Sequence, residues 1–169
     1  MAETLDAALP NEVQLRADKV LETACDKELM LATAESCTGG LLAALLTDVP
    51  GCSHAFERGF VVYTEEAKSQ LLDIELAKIQ RLGAVSKDIA IDMAHGALRR
   101  SEADIALSIT GFAGPGKPGD EEGLVHFACA RKNGATAHRA EHFGAIGRQG
   151  VRIASLETAL EMIEEALKA

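Results

Sequence analysis

Three short apolar runs, 29–34 (LMLATA), 59–63 (GFVVY) and 104–110 (DIALSIT), each break off into a polar loop, and this pattern constrains the fold more than any other feature. Unbroken apolar segments of strand length, alternating with helical patterns, are the signature of buried strands in an α/β sheet. Residues 11–25 place Val13, Ala17, Val20, Leu21 and Ala24 on one face of a 3.6-residue period, behind Pro10 and with Asn11 as the candidate N-cap. LLAALLTDV (41–49) suits a buried helix stopped by Pro50-Gly51. Thr64, followed by Glu65 and Glu66, reads as an N-cap with carboxylates on the favourable end of the helix dipole, and Lys68 lies in the first turns of that helix. Ser86 is expected to cap a further helix on which Ile89, Ala90, Met93, Ala94, Ala97 and Leu98 share a face. Strands over 124–131 and 135–143 flank Asn133-Gly134, a strong hairpin signal, and a last helix starts near 148. The prediction is α/β: a single three-layer α/β/α domain over 1–169 with a mixed sheet, in which 1–10 is a flexible lead-in.

The chain is expected in the cytoplasm, because its first dozen residues have neither the basic start nor the apolar run of a signal peptide, and no stretch has the length of a membrane span. Cys25, Cys37, Cys52 and Cys129 show no CxxC spacing and are read as reduced. A net charge of −9, without a Lys/Arg cluster beyond Arg99 and Arg100, repels a phosphate backbone, so neither nucleic acid nor membrane is expected as a partner. A small anion remains compatible, since a few local donors bind it whatever the global charge.

The loops ESCTGG (35–40), YTEEAK (63–68) and TGFAGPG (110–116) follow the carboxyl ends of predicted strands, where ligands bind in open α/β sheets. Ser36 lies between a strand and a helix start, where free N–H groups favour an anion or a developing oxyanion; it is a candidate nucleophile, a phosphate ligand or simply an N-cap. Cys37 is a rival nucleophile, because a helix N-terminus lowers a thiol pKa. Gly39 and Gly40 cost helix propensity and suggest close approach of a ligand or of another backbone. A serine needs a base: Lys68 qualifies if burial leaves it neutral, and His54, His95, His126, His138 or His142 could arrive through the fold. Tyr63, at the same edge, could bind substrate or relay a proton.

The third loop carries a decoy. Gly111, Gly116 and Lys117 satisfy GxxxxGK, yet Pro118 stands where a Mg²⁺-binding Ser or Thr belongs, so an NTPase reading is rejected while Thr110 and Gly111 remain candidate ligand contacts. His138 and His142 share a strand face without a carboxylate or cysteine partner in sequence, and no metal is expected.

TAESCTGG (33–40), FERGFVVYTEEAK (56–68), GAVS (83–86) and SITGFAGPG (108–116) together resemble the competence/damage-inducible CinA C-terminal family, in the same motif order from about residue 11 to the end. Enzymatic members of that family are nicotinamide-nucleotide amidases. The resemblance implies hydrolysis of nicotinamide mononucleotide to nicotinate mononucleotide and ammonia without a cofactor. It makes Ser36 the nucleophile and Lys68 its general base, with Tyr63 in the catalytic group. Glu35, Cys37, Thr38, Gly39, Gly40, Thr110, Gly111 and Arg148 would form the substrate-binding set, and a homo-oligomer, dimer favoured, is implied. Ile146-Gly147-Arg148 stands where the family usually has Gly-Asp-Arg, and Glu121-Glu122-Gly123 where it has Lys-Pro-Val-Gly. The larger amino-terminal domain of many family members is not in this sequence, so a stand-alone module is expected. The alternatives are an amidase for a related small amide, or a non-catalytic nucleotide-binding sensor or competence-linked partner protein in which ESCTGG only holds a phosphate.

Overall fold

Pro10, at φ −60° and ψ 140°, leads the chain into α1 (Asn11–Asp26), which buries the five residues expected of its apolar face. Asn11 is therefore the first helical residue and not the cap; proline fits here because the first helical N–H groups lack intrahelical acceptors in any case. At the other end Glu28 adopts φ 54°, and the bonds Leu29 N–H to Ala24 O (2.9 Å) and Glu28 N–H to Cys25 O (3.0 Å) close the helix. That paired closure turns the chain sharply into the sheet. The computed structural model describes residues 9–169; the expected lead-in over 1–10 lies outside the described residues through residue 8, and Leu9 packs against the core.

The remaining elements are β1 (Leu31–Glu35), α2 (Leu41–Leu45), β2 (Phe56–Val61), α3 (Glu65–Leu72), α4 (Leu76–Leu82), α5 (Lys87–Arg99), β3 (Ile105–Gly111), β4 (Leu124–Arg131), β5 (Thr136–His142) and α6 (Arg148–Lys168). The strands form one sheet in the order β2-β1-β3-β4-β5. The pairs β1–β2 and β1–β3 are parallel, and β3–β4 and β4–β5 antiparallel, so the sheet is mixed. Alternation of side chains splits the core in two. Leu31, Leu107, Ile109 and Phe127 pack beneath α1, α2 and α6, whereas Ala32, Ala34 and Ala106 meet Leu72, Ile79, Ile89 and Met93 from α3, α4 and α5. This is the expected three-layer α/β/α arrangement.

Small residues set the spacing of the second layer. A Cβ on Gly96 of α5 would lie 2.3 Å from the carbonyl oxygen of Leu72, the last residue of α3, so the two helices touch through backbone there. That carbonyl, left without an intrahelical donor, accepts from Arg99 Nη2 at 3.3 Å.

Several boundaries differ from expectation. β2 begins at Phe56 and ends at Val61, earlier than the apolar run suggested. Being an edge strand, it tolerates the polar Glu57 and Arg58 that hide it from a search for apolar runs. α2 stops at Leu45 because three-residue bonds, Thr47 N–H to Ala44 O and Asp48 N–H to Leu45 O, tighten the chain well before Pro50. Ser86 occupies the N-cap position of α5 as expected, but its hydroxyl donates back to Gly83 O at 2.8 Å and makes no capping bond to the helix. α4 has no counterpart in the sequence reading.

Candidate active site

The carboxyl end of β1 is the centre of the site because its neighbours extend the ladder past it. Ser36 N–H donates to Ile109 O on β3 at 3.0 Å, and Val62 N–H donates to Glu35 O at 2.9 Å. Ser36 is thus held between two parallel strands at the point where the chain leaves the sheet.

Glu35 shapes the loop that follows. Its carboxylate is fully buried and accepts from Thr38 Oγ1 (2.7 Å), Leu42 N–H (2.9 Å) and Ala43 N–H (3.0 Å). Gly40, the N-cap residue of α2, has no side chain to offer, and the glutamate supplies the missing acceptor from inside the fold. The turn requires φ 61° at Gly39 and 98° at Gly40. Arg152 on α6 supports it from behind, donating from Nη2 to Thr38 O at 3.1 Å. Sequence reading missed Arg152; its place one helical turn after Arg148 was the available signal.

Lys68 comes from the opposite side. The hydroxyl of Thr64 accepts from Ala67 N–H at 3.0 Å and so caps α3 as expected, which sets the lysine one turn into the helix with its side chain aimed under the sheet edge. The residue is 1% exposed, and its Nζ lies 3.0 Å from Ser36 Oγ, 2.9 Å from Val62 O and 3.1 Å from Tyr63 O. Burial lowers its pKa from 10.5 to about 8. Two carbonyls can accept only N–H donors, so a neutral amine satisfies both and turns its lone pair to the serine hydroxyl.

The rival nucleophile lacks that activation. Cys37 is buried, and the cost of placing a thiolate there raises its pKa to about 11 despite a helix start close by. None of the five histidines lines the cleft. His54 contacts Cys25, His95 contacts Thr136, His126 contacts His138 and His142 contacts Glu121. Among the described residues no three His, Cys, Asp or Glu side chains converge to hold a metal ion.

Ser36, Cys37, Tyr63, Lys68, Thr110, Gly111 and Arg148 line one open cleft of about 230 Å³, together with Ala84, Val85 and the loop from Phe112 to Gly116. Tyr63 lies beyond the end of β2, 68% exposed at the cleft mouth. Thr110 donates its hydroxyl to Ala84 O at 2.8 Å and so anchors the wall formed by Ala84 and Val85. Arg148 opens α6 and lies against Gly114, where an added Cβ would be 3.1 Å from its Nη2. Among the described residues its guanidinium makes no hydrogen bond or ion pair. Glu35, Thr38, Gly39 and Gly40 are absent from the cleft lining; Glu35 ends β1, and the other three form the loop behind the cleft. The GxxxxGK run folds into a turn in which Lys117 N–H donates to Asp120 Oδ2 and Asp120 N–H to Lys117 O, and no helix follows it.

A hydroxyl touching a buried amine, beside an unpaired guanidinium, is equipped for nucleophilic attack on a small substrate bearing an anionic group. Comparison with known proteins agrees with the architecture. A protein of Agrobacterium tumefaciens described as competence/damage inducible protein CihA superposes with a TM-score of 0.91 at 41% identity, each chain covered in full. The nicotinamide-nucleotide amidohydrolase PncC of Escherichia coli K12 is 42% identical over 135 residues, 79% of this chain and 81% of that protein. A putative competence-damage inducible protein of Acetivibrio thermocellus is 38% identical over 165 residues, 96% of this chain but only 39% of that longer protein. Residues 14–167 match the CinA C-terminal domain, and the chain belongs to that family.

Proposed function

We propose that the chain hydrolyses the carboxamide of nicotinamide mononucleotide, giving nicotinate mononucleotide and ammonia. The contact that carries this reading is the 3.0 Å approach of Lys68 Nζ to Ser36 Oγ, with two carbonyls holding the amine. The relative named nicotinamide-nucleotide amidohydrolase supports the choice of substrate. Ser36 Oγ attacks the carboxamide carbon while Lys68 accepts the hydroxyl proton. Collapse of the tetrahedral intermediate breaks the C–N bond, and Lys68 returns the proton to the departing nitrogen, which leaves as ammonia. Water, deprotonated by the same amine, then attacks the acyl ester; the C–O bond breaks, Lys68 returns the proton to Ser36 Oγ, and the acid leaves. Ser36 N–H is committed to Ile109 O and Gly39 N–H to Ser36 O, so the N–H groups of Cys37, Thr38 and Gly40 are the loop's remaining candidate donors for the oxyanion. Arg148, unpaired beside the cleft, takes the 5′-phosphate. No step calls on a cofactor.

The test is ammonia release from nicotinamide mononucleotide by the purified chain and by Ser36→Ala and Lys68→Ala variants whose circular dichroism matches the wild type. Turnover lost in both supports the pair. Turnover that survives Ser36→Ala removes the mechanism, and wild-type binding without ammonia release favours a sensor. A cytoplasmic homo-oligomer, dimer first, belongs to the same reading, and light scattering checks its size.

A further inference from the structure

Away from the cleft, at the end of α1, two thiols and an imidazole meet. Cys25 Sγ lies 3.4 Å from His54 Nε2, and Cys52, which opens the short turn carrying His54, is near enough for its thiol to interact with that of Cys25. Both cysteines are partly exposed, and both pack against the same core cluster. Their side chains come from separate elements: Cys25 from the last turn of α1, Cys52 from the residue before the 3-10 turn Ser53–Ala55. The remaining cysteines, Cys37 and Cys129, are buried. Nothing in the proposed amide chemistry uses this group.

We propose that Cys25 and Cys52 are a thiol–disulfide exchange site for a small-molecule disulfide of the glutathione type, with Cys25 as the attacking thiol and His54 as its proton acceptor. An imidazole at hydrogen-bond distance takes the Cys25 proton, and a thiolate is the species that attacks. The Cys25 sulfur displaces one half of the small disulfide as a thiolate and becomes a mixed disulfide with the other half. Cys52 then gives up its proton and attacks the Cys25 sulfur, breaking the mixed disulfide and expelling the second half. Both expelled thiolates take up the two protons that left the cysteines. The balance is two protein thiols plus one small disulfide going to one protein disulfide plus two small thiols, with two electrons passing to the small molecule. The bridge would close a loop containing β1, Ser36 and α2.

The test is incubation of the full chain with oxidised glutathione near neutral pH, alkylation of remaining thiols, and mass spectrometry with the linked peptides sequenced by fragmentation. The expected result is a Cys25–Cys52 bridge and alkylation of Cys37 and Cys129 only after unfolding. Cys52→Ser should retain glutathione on Cys25, and His54→Gln should slow bridging by roughly tenfold. Circular dichroism checks each variant's fold, and the wild-type peptide map decides on its own if a variant fails. Free Cys25 and Cys52 after oxidation, or glutathione persisting on Cys25 in the wild type, would overturn the proposal; unchanged bridging in His54→Gln would overturn the role given to the imidazole.

Discussion

Lys68 Nζ lies 2.9 Å from the carbonyl oxygen of Val62, and that contact decides where the amine's lone pair can point. With Tyr63 O at 3.1 Å holding a second N–H, the neutral amine has its free position toward Ser36. Only the deprotonated lysine can act as a base. Since burial brings its pKa to about 8, kcat/KM for the amide should rise with pH through that value and level off above it. Lys68→Ala should lower kcat/KM by roughly a thousandfold and remove the rising limb. A pH–rate profile measured on the folded variant and wild type checks both.

The same shift bears on stability. The folded-state pKa lies below the ordinary lysine value of 10.5, so between about pH 8 and 10.5 the unfolded chain holds a proton that the folded chain has shed. Stability from this group therefore rises with pH across that window, and the cost of the buried ammonium is present in full below it. Relative to Lys68→Met, the wild type should gain on the order of 3 kcal/mol in unfolding free energy from pH 8 to pH 10.5. Denaturant unfolding of both proteins over that range is the measurement; a constant difference would show that the lysine titrates normally.

Glu35→Gln tests the buried cap. An amide can present an oxygen to Thr38 and Leu42, but its NH₂ then faces the Ala43 N–H, donor against donor. Loss of about 1–3 kcal/mol is expected in urea unfolding. Activity should fall as well, because Ser36 shares the loop; full activity in a less stable protein would separate the cap from the chemistry.

Arg148→Ala should act on the anionic end of the substrate alone. KM for nicotinamide mononucleotide should rise roughly tenfold to a hundredfold, the size of one charge-assisted bond. Hydrolysis of the phosphate-free riboside should be unchanged. Equal losses on both substrates would place the arginine elsewhere in the reaction.

How much of this was legible depended on whether a residue's role was local. The apolar face of α1, the Thr64 cap and the Asn133-Gly134 hairpin are short-range, and the structure has them where the pattern put them. β2 escaped its boundaries because an edge strand need not be apolar, and α4 because seven residues carry little periodicity. At the site, motif resemblance brought Ser36 and Lys68 forward, yet nothing in the spacing of two residues 32 positions apart reveals that Val62 and Tyr63 carbonyls hold the amine. Glu35 looked like a polar loop residue open to a ligand; its burial depends on α2 folding over it. The depression of a thiol pKa expected at Cys37 gave way to desolvation, a property of the packed core that a helix start cannot report.

The layer built by α6 has a consequence for synthesis of the chain. Val151, Leu156, Leu160, Ile163 and Leu167 cover the sheet face that carries Leu31, Leu107 and Phe127, and the same helix contributes Arg148 and Arg152 to the site. A nascent polypeptide that has emerged through β5 has every atom of the hydroxyl–amine pair, but the face of the sheet that α6 covers is still open to water and the Ser36 loop lacks its rear support. The cleft is therefore complete only once α6 has packed, so a ribosome that stalls before it leaves the Ser36 loop without its rear support and the cleft without Arg148.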